Sequence, residues 1–91
     1  MAILRIALGE IDRETYDRLV DALEIATDHP LGLIMHGASE VDGLMSIAQV
    51  WDSREYAERF GEERLKPTLE SLGIPPARQV TVVELTDLVT P

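Results

Sequence analysis

Three side chains in this 91-residue sequence put a polar head into an otherwise apolar, strand-like setting: Arg5, His36 and Gln49. His36 lies in Leu31–Ser39 (LGLIMHGAS), and its ordinary pKa suits proton transfer near neutrality. It would act as a general base toward a phenol or an activated carbon, or stand as a structural histidine hydrogen-bonded to Gln49. Arg5 interrupts the apolar run AILRIAL, where an unpaired charge is expensive to bury. It would bind a carboxylate, phenolate or enolate and stabilise anionic charge as it develops, unless Glu84 or a partner subunit neutralises it. Gln49 and Trp51 would orient a planar ligand against the apolar Ile34 and Ile47. Trp51 fits the role of an interface anchor equally well.

Other chemistries lack their residues. The chain has no cysteine, no Gly-rich phosphate loop and no G-x-S-x-G elbow. His29 and His36, the two histidines, have no metal-ligand spacing. No metal or cofactor is therefore expected, with haem on His36 as a weaker third idea, since one histidine is sufficient for an axial ligand.

Four strands and two helices must position these groups. Ala2–Leu8 reads as a strand stopped by Gly9, and Asp12 then offers a helix N-cap. Tyr16, Leu19, Val20, Leu23 and Ala26 follow at helical spacing, and the helix must end before His29-Pro30. Leu31–Ser39 and Leu44–Trp51 are strands joined by Asp42-Gly43, a pair that favours a tight hairpin turn. Asp52 or Ser53 caps a second helix carrying Tyr56, Ala57, Phe60, Leu65, Leu69 and Leu72, with a kink or break expected at Pro67. Gly73 stops it, and Gln79–Leu85 is the fourth strand. The order β-α-β-β-α-β, with right-handed crossovers, implies one α+β domain over 1–91. It would be ferredoxin-like, with a four-stranded antiparallel sheet and both helices on one face.

The turn sets a register. With Val41 opposite Leu44, His36 falls opposite Gln49, Ile34 opposite Trp51 and Ala38 opposite Ile47. These six side chains share one face with Ile3, Arg5 and Ala7. The other face, with Leu4, Ile6, Leu8, Leu33, Met35, Ala48 and Val50, suits packing beneath the helices. The polar trio is thus expected on the uncovered face, whose apolar remainder would be buried against a second copy about a two-fold axis.

The run GLIMHGAS, the Asp-Gly turn and SIAQVWDSREYAERF resemble the dimeric α+β barrel superfamily, and within it the antibiotic-biosynthesis monooxygenase-like proteins. The resemblance covers essentially the whole chain. It implies two sheets packed face to face, with a cavity between each sheet and its helices or within the barrel. Arg5, His36 and Gln49 converging on an otherwise apolar face then point to a cofactor-independent enzyme of the monooxygenase or cyclase kind, acting on a planar phenolic or enolisable compound. The alternative is a non-catalytic dimeric binding or assembly module.

Seventeen acidic against eight basic residues give a formal charge of −9. Such a chain repels nucleic-acid backbones and anionic membrane surfaces, so neither is an expected partner. The N-terminal apolar run is too short for a signal peptide, and a cytoplasmic protein is expected. The expected partners are a second copy of itself and a small apolar or aromatic ligand.

Overall fold

In the computed structural model, which describes residues 1–91, four strands form one antiparallel sheet. They are β1 (Ile3–Leu8), β2 (Leu33–Val41), β3 (Leu44–Trp51) and β4 (Gln79–Glu84), in the order β2-β3-β1-β4. Helix α1 (Arg13–Leu23) connects β1 to β2. Helix α2 (Arg54–Phe60) runs through a π-helical turn, Gly61–Leu65, into α3 (Lys66–Leu72) before β4. This is the ferredoxin-like βαββαβ arrangement that the sequence implied.

Local chemistry places each boundary. Asp12 caps α1 by accepting the Thr15 N–H at 2.9 Å. That bond holds the Asp12 carboxyl below the usual carboxylate range. The helix ends at Glu24, which takes a left-handed conformation (φ 55°), several residues before the barrier at Pro30. Ser53, not Asp52, caps α2, accepting the Tyr56 N–H at 3.4 Å. Asp42 (φ 52°) and Gly43 (φ 82°) both lie in the left-handed region, as a type I′ hairpin turn requires.

The helical break has a reason in spacing. Phe60 and Leu65 both pack into the core but lie five residues apart, one more than an α-turn aligns. The π turn absorbs the extra residue, and the Lys66 N–H bonds to the Gly61 carbonyl. Pro67, which has no N–H to give, follows directly. The turn also aims Arg64 at the end of α1, where its guanidinium donates to the Leu23 carbonyl at 2.6 Å and the Asp28 carbonyl at 3.0 Å. Those contacts satisfy carbonyls that a helix end leaves without partners.

The core lies between the sheet and the helices. Trp51 is fully buried and tilts against Phe60, with ring centroids 5.3 Å apart, and Ile3, Leu19, Leu23, Leu33 and Ile74 surround them.

Two sequence expectations need correction. The hairpin register holds for Val41↔Leu44, Ala38↔Ile47 and His36↔Gln49, but a bulge between Leu33 and Met35 brings Leu33, not Ile34, opposite Trp51. Ile34 is consequently left partly exposed. The two sheet faces are also reversed. Ile3, Ala7, Gln49 and Trp51 are buried beneath the helices, and His36 bonds to Tyr16 of α1 on that same side. Leu4, Ile6, Leu8, Met35, Ala48 and Val50 therefore occupy the uncovered side. Polarity misled because the uncovered face is itself apolar, while Trp51, Gln49, His36 and Tyr16 of the covered side satisfy one another.

Gly32 (φ 86°) passes directly beside the Tyr56 ring, so any added Cβ would collide with the ring atoms. Gly32→Ala should lower the unfolding free energy by about 1–3 kcal/mol or more in urea denaturation. The same change at Gly61, where a Cβ meets no atom within 4 Å, should cost far less.

Candidate functional site

Register carries the polar groups into one row. His36 of β2 lies opposite Gln49 of β3, and Gln49 lies opposite Arg5 of β1, which pairs on its other side with Val82 of β4. The three residues expected together from the sequence are thus neighbours, beneath the helices rather than on the open face.

A hydrogen-bonded chain runs along part of this row. The Trp51 indole N–H donates to Gln49 Oε1 at 3.1 Å. Gln49 Nε2 lies 3.0 Å from His36 Nδ1, and His36 Nε2 lies 2.7 Å from the Tyr16 hydroxyl. The directions follow from the first member. An indole N–H only donates, so the Gln49 oxygen must face Trp51 and its NH2 must face His36. Nδ1 is then an acceptor, and the neutral imidazole carries its proton on Nε2, donating to the Tyr16 oxygen. The two rings meet end-on, parallel within 4°. Protonating Nδ1 would set two donors against each other. Burial also pushes the His36 pKa down, and these bond directions act in the same sense. Burial, followed by the nearby Asp17 charge, pushes the Tyr16 hydroxyl pKa up.

Arg5 belongs to no such chain. The ion pairs of the molecule are Arg13–Asp17, Arg59–Glu55 and Arg64–Asp28, and no side chain accepts a hydrogen bond from the Arg5 guanidinium. Glu84, offered by the sequence as its partner, sits opposite Ile3. Arg5 is half-buried, and desolvation holds its pKa below the ordinary guanidinium value. It projects instead into two adjacent cavities beneath the helices. The inner one, about 170 Å³, is mostly apolar, lined by Ala7, Ile47 and Val80 of the sheet and by Leu65, Leu69 and Ile74. The outer one, about 370 Å³, lies along α2 and the π turn and includes Arg54, Glu58 and Glu62.

Of the residues expected from the sequence, Arg5 and Ile47 reach the inner cavity. His36, Gln49 and Trp51 form the chain beside it, and Ile34 joins neither. The sequence places Tyr16 only on a helical stripe with Leu19 and Leu23. A half-buried tyrosine hydroxyl needs a partner, and that requirement was the available signal. Leu65 and Leu69 were legible as a helix stripe, though not as cavity walls. No cluster of three or more His, Asp or Glu side chains is placed to ligate a metal. Both His36 ring nitrogens, either of which could ligate a haem iron, are engaged in hydrogen bonds. No helix is long and apolar enough to cross a membrane.

No protein-family model matches this chain, and neither does any curated protein sequence. Solved structures do match in shape. A protein of Chloroflexus aurantiacus, provisionally named an antibiotic biosynthesis monooxygenase, superposes with a TM-score of 0.71 at 12% identity, covering 99% of this chain and 98% of its own. One of Deinococcus radiodurans with the same provisional name gives 0.67 at 17% identity, over 100% and 98%. A third, from Bacteroides thetaiotaomicron, gives 0.64 at 14% identity, over 97% and 90%. The chain therefore has the ferredoxin-like fold of antibiotic biosynthesis monooxygenase-type proteins. At these identities the likeness is one of fold.

The hydrogen-bonded chain generates a pH dependence. His36 has a lowered pKa in the folded protein, and its reference value is 6.5. As pH falls through that value the unfolded chain takes up a proton before the folded one does. The stability contribution of neutral His36 is thus full above this range and is lost below it. Unfolding free energy measured between about pH 7 and pH 5 should fall more steeply for the wild type than for His36→Gln. Equal slopes would show that His36 titrates alike in both states.

Proposed function

We propose that this protein binds a small, planar, largely apolar molecule in the cavity beneath its helices and stabilises that molecule as a phenolate or enolate. The observation that carries the reading is the half-buried Arg5 guanidinium, which has no acceptor in the protein and faces an apolar chamber. A fixed cation in a poorly solvated site favours the ionised form of a ligand that approaches it.

In this reading Arg5 holds the anion and Ile47 forms part of the apolar wall. Gln49 and Trp51 hold the polar row in place, along with His36. The only imidazole lone pair already accepts from Gln49, so His36 acts as a positioning residue and solvent takes the ligand's proton. The resulting carbanion equivalent supports chemistry that needs no cofactor. With dioxygen, an activated methylene becomes a carbonyl and releases water. With a second carbonyl in the same molecule, a ring closes. The saturated hydrogen bonding of His36 favours a second reading, in which the site binds without turnover.

Para-nitrophenol tests the binding step by its own colour. The wild type should lower the dye's pKa by about 1–3 units, and Arg5→Met should abolish the effect. An unchanged titration with saturating protein would overturn the reading. Oxygen uptake or ring closure with an enolisable substrate then separates an enzyme from a binding module.

The reading includes a homodimer. Three rows of the uncovered face, centred on Leu4, Ile6 and Leu8 and including Met35, Ala48, Val83 and the already buried Val50, carry no charged residue. That is a notable absence on a chain of charge −9. A second copy of the same face would remove this apolar surface from water. Sedimentation should give twice the monomer mass, and Ile6→Asp should return it to the monomer mass. A monomeric wild type at high concentration refutes the dimer.

A further inference from the structure

The two cavities adjoin at Arg5, which lines both. Along β1 the division is regular: Ile3 lies on the outer side and Ala7 on the inner side, with Arg5 between them. The helix above divides at the same place, with Gly61 and Glu62 over the outer cavity and Leu65 over the inner.

Size constrains what the inner chamber holds. It measures about 170 Å³. An apolar cavity of roughly 150 Å³ is filled by a benzene-sized molecule, and sites for larger ligands run from about 300 Å³ upward. One ring fits, and a fused three-ring system does not. Any polar substituent on that ring must then pass Arg5 toward the outer cavity.

Charge constrains the substituent. Arg54, Glu58 and Glu62 of the outer cavity are exposed, and water screens them. Arg5 alone is half-buried without an acceptor, so it is the group whose satisfaction gains most. Its planar fork of N–H donors matches a carboxylate with two parallel bonds. A second carboxylate on the same ligand would find no other half-buried cation and would lose hydration without compensation.

We propose that the site takes a single-ring aromatic monocarboxylate, with its ring in the inner chamber and its carboxylate on Arg5 at the boundary of the two cavities. This proposal rests on the reading of the cavity beneath the helices as a ligand site, and it makes a carboxylate, in place of a phenolate or enolate, the anion that Arg5 holds. The outer cavity admits the carboxylate and its water. Gly61 forms part of its wall.

The test is a titration of the full chain, isotopically labelled, with four probes and para-nitrophenol, following the NMR signals of Arg5, Ala7 and Leu69. Benzoate should shift these signals saturably. Benzyl alcohol has the same ring without the charge, anthracene carboxylate has the charge on three rings, and phthalate carries two charges. Each should bind about tenfold or more weakly than benzoate. Arg5→Met should erase the preference of benzoate over benzyl alcohol, and Arg5→Lys should keep part of it. If any of the three comparison probes binds as tightly as benzoate in the wild type, the proposal is overturned. The same holds if para-nitrophenol perturbs these signals and benzoate does not, and in both cases the ligand-site reading stands. Silence from every probe, para-nitrophenol included, removes the proposal and the reading together.

Discussion

A buried indole N–H can only donate, and in this fold that restriction propagates across the sheet. Trp51 has no exposed surface, so its N–H must find an acceptor within the protein, and it finds Gln49. Gln49 is thereby oriented, His36 is left with one permitted neutral tautomer, and Tyr16 becomes the acceptor at the far end. Strands β2 and β3 and helix α1 are thus tied by polar bonds with fixed senses. No buried side-chain nitrogen or oxygen is left without a partner. Apolar packing alone tolerates shifts in register, whereas a directed chain of this kind penalises them by the cost of each orphaned group.

Arg5 stands in the same row under the opposite rule. It carries a charge where the chain of neutral groups ends, and it has not been neutralised. A protein selected for stability alone would gain by pairing this guanidinium or replacing it with an apolar side chain of similar volume. The molecule therefore combines a polar row satisfied at one end with a donor left open at the other, and the open end faces the apolar chamber. Such a division suits preorganisation: the closed end locks the geometry in which the open end is presented.

Much of this was legible in the sequence because it depends on local chemistry. Asp42-Gly43 set the turn and the register, Asp12 and Gly73 marked helix ends, and the shared row of Arg5, His36 and Gln49 followed from strand alternation. Which side of the sheet that row faced was not legible. Strand alternation separates two sets of residues, but identifying the covered set relies on one side being more polar. Here Leu4, Ile6 and Met35 make the uncovered set apolar, whereas the covered set holds the polar groups. The bulge at Ile34 was equally hidden, since nothing in its neighbours' types demands an extra residue. Pro67 announced a break in the helix, and the spacing of Phe60 and Leu65 held the form of that break.

The π turn has a consequence for how the protein's length can vary. It behaves as a one-residue insertion that the helix has absorbed without losing phase. Dropping one residue between Gly61 and Arg64 would restore α-helical phase, with a bend kept at Pro67, and the two flanks would still present Tyr56, Phe60, Leu65 and Leu69 to the sheet. The outer cavity would be remodelled while the inner chamber kept its walls. In this chain the wall of the outer cavity can thus change by deletion, while the strand residues beneath it can change by substitution alone.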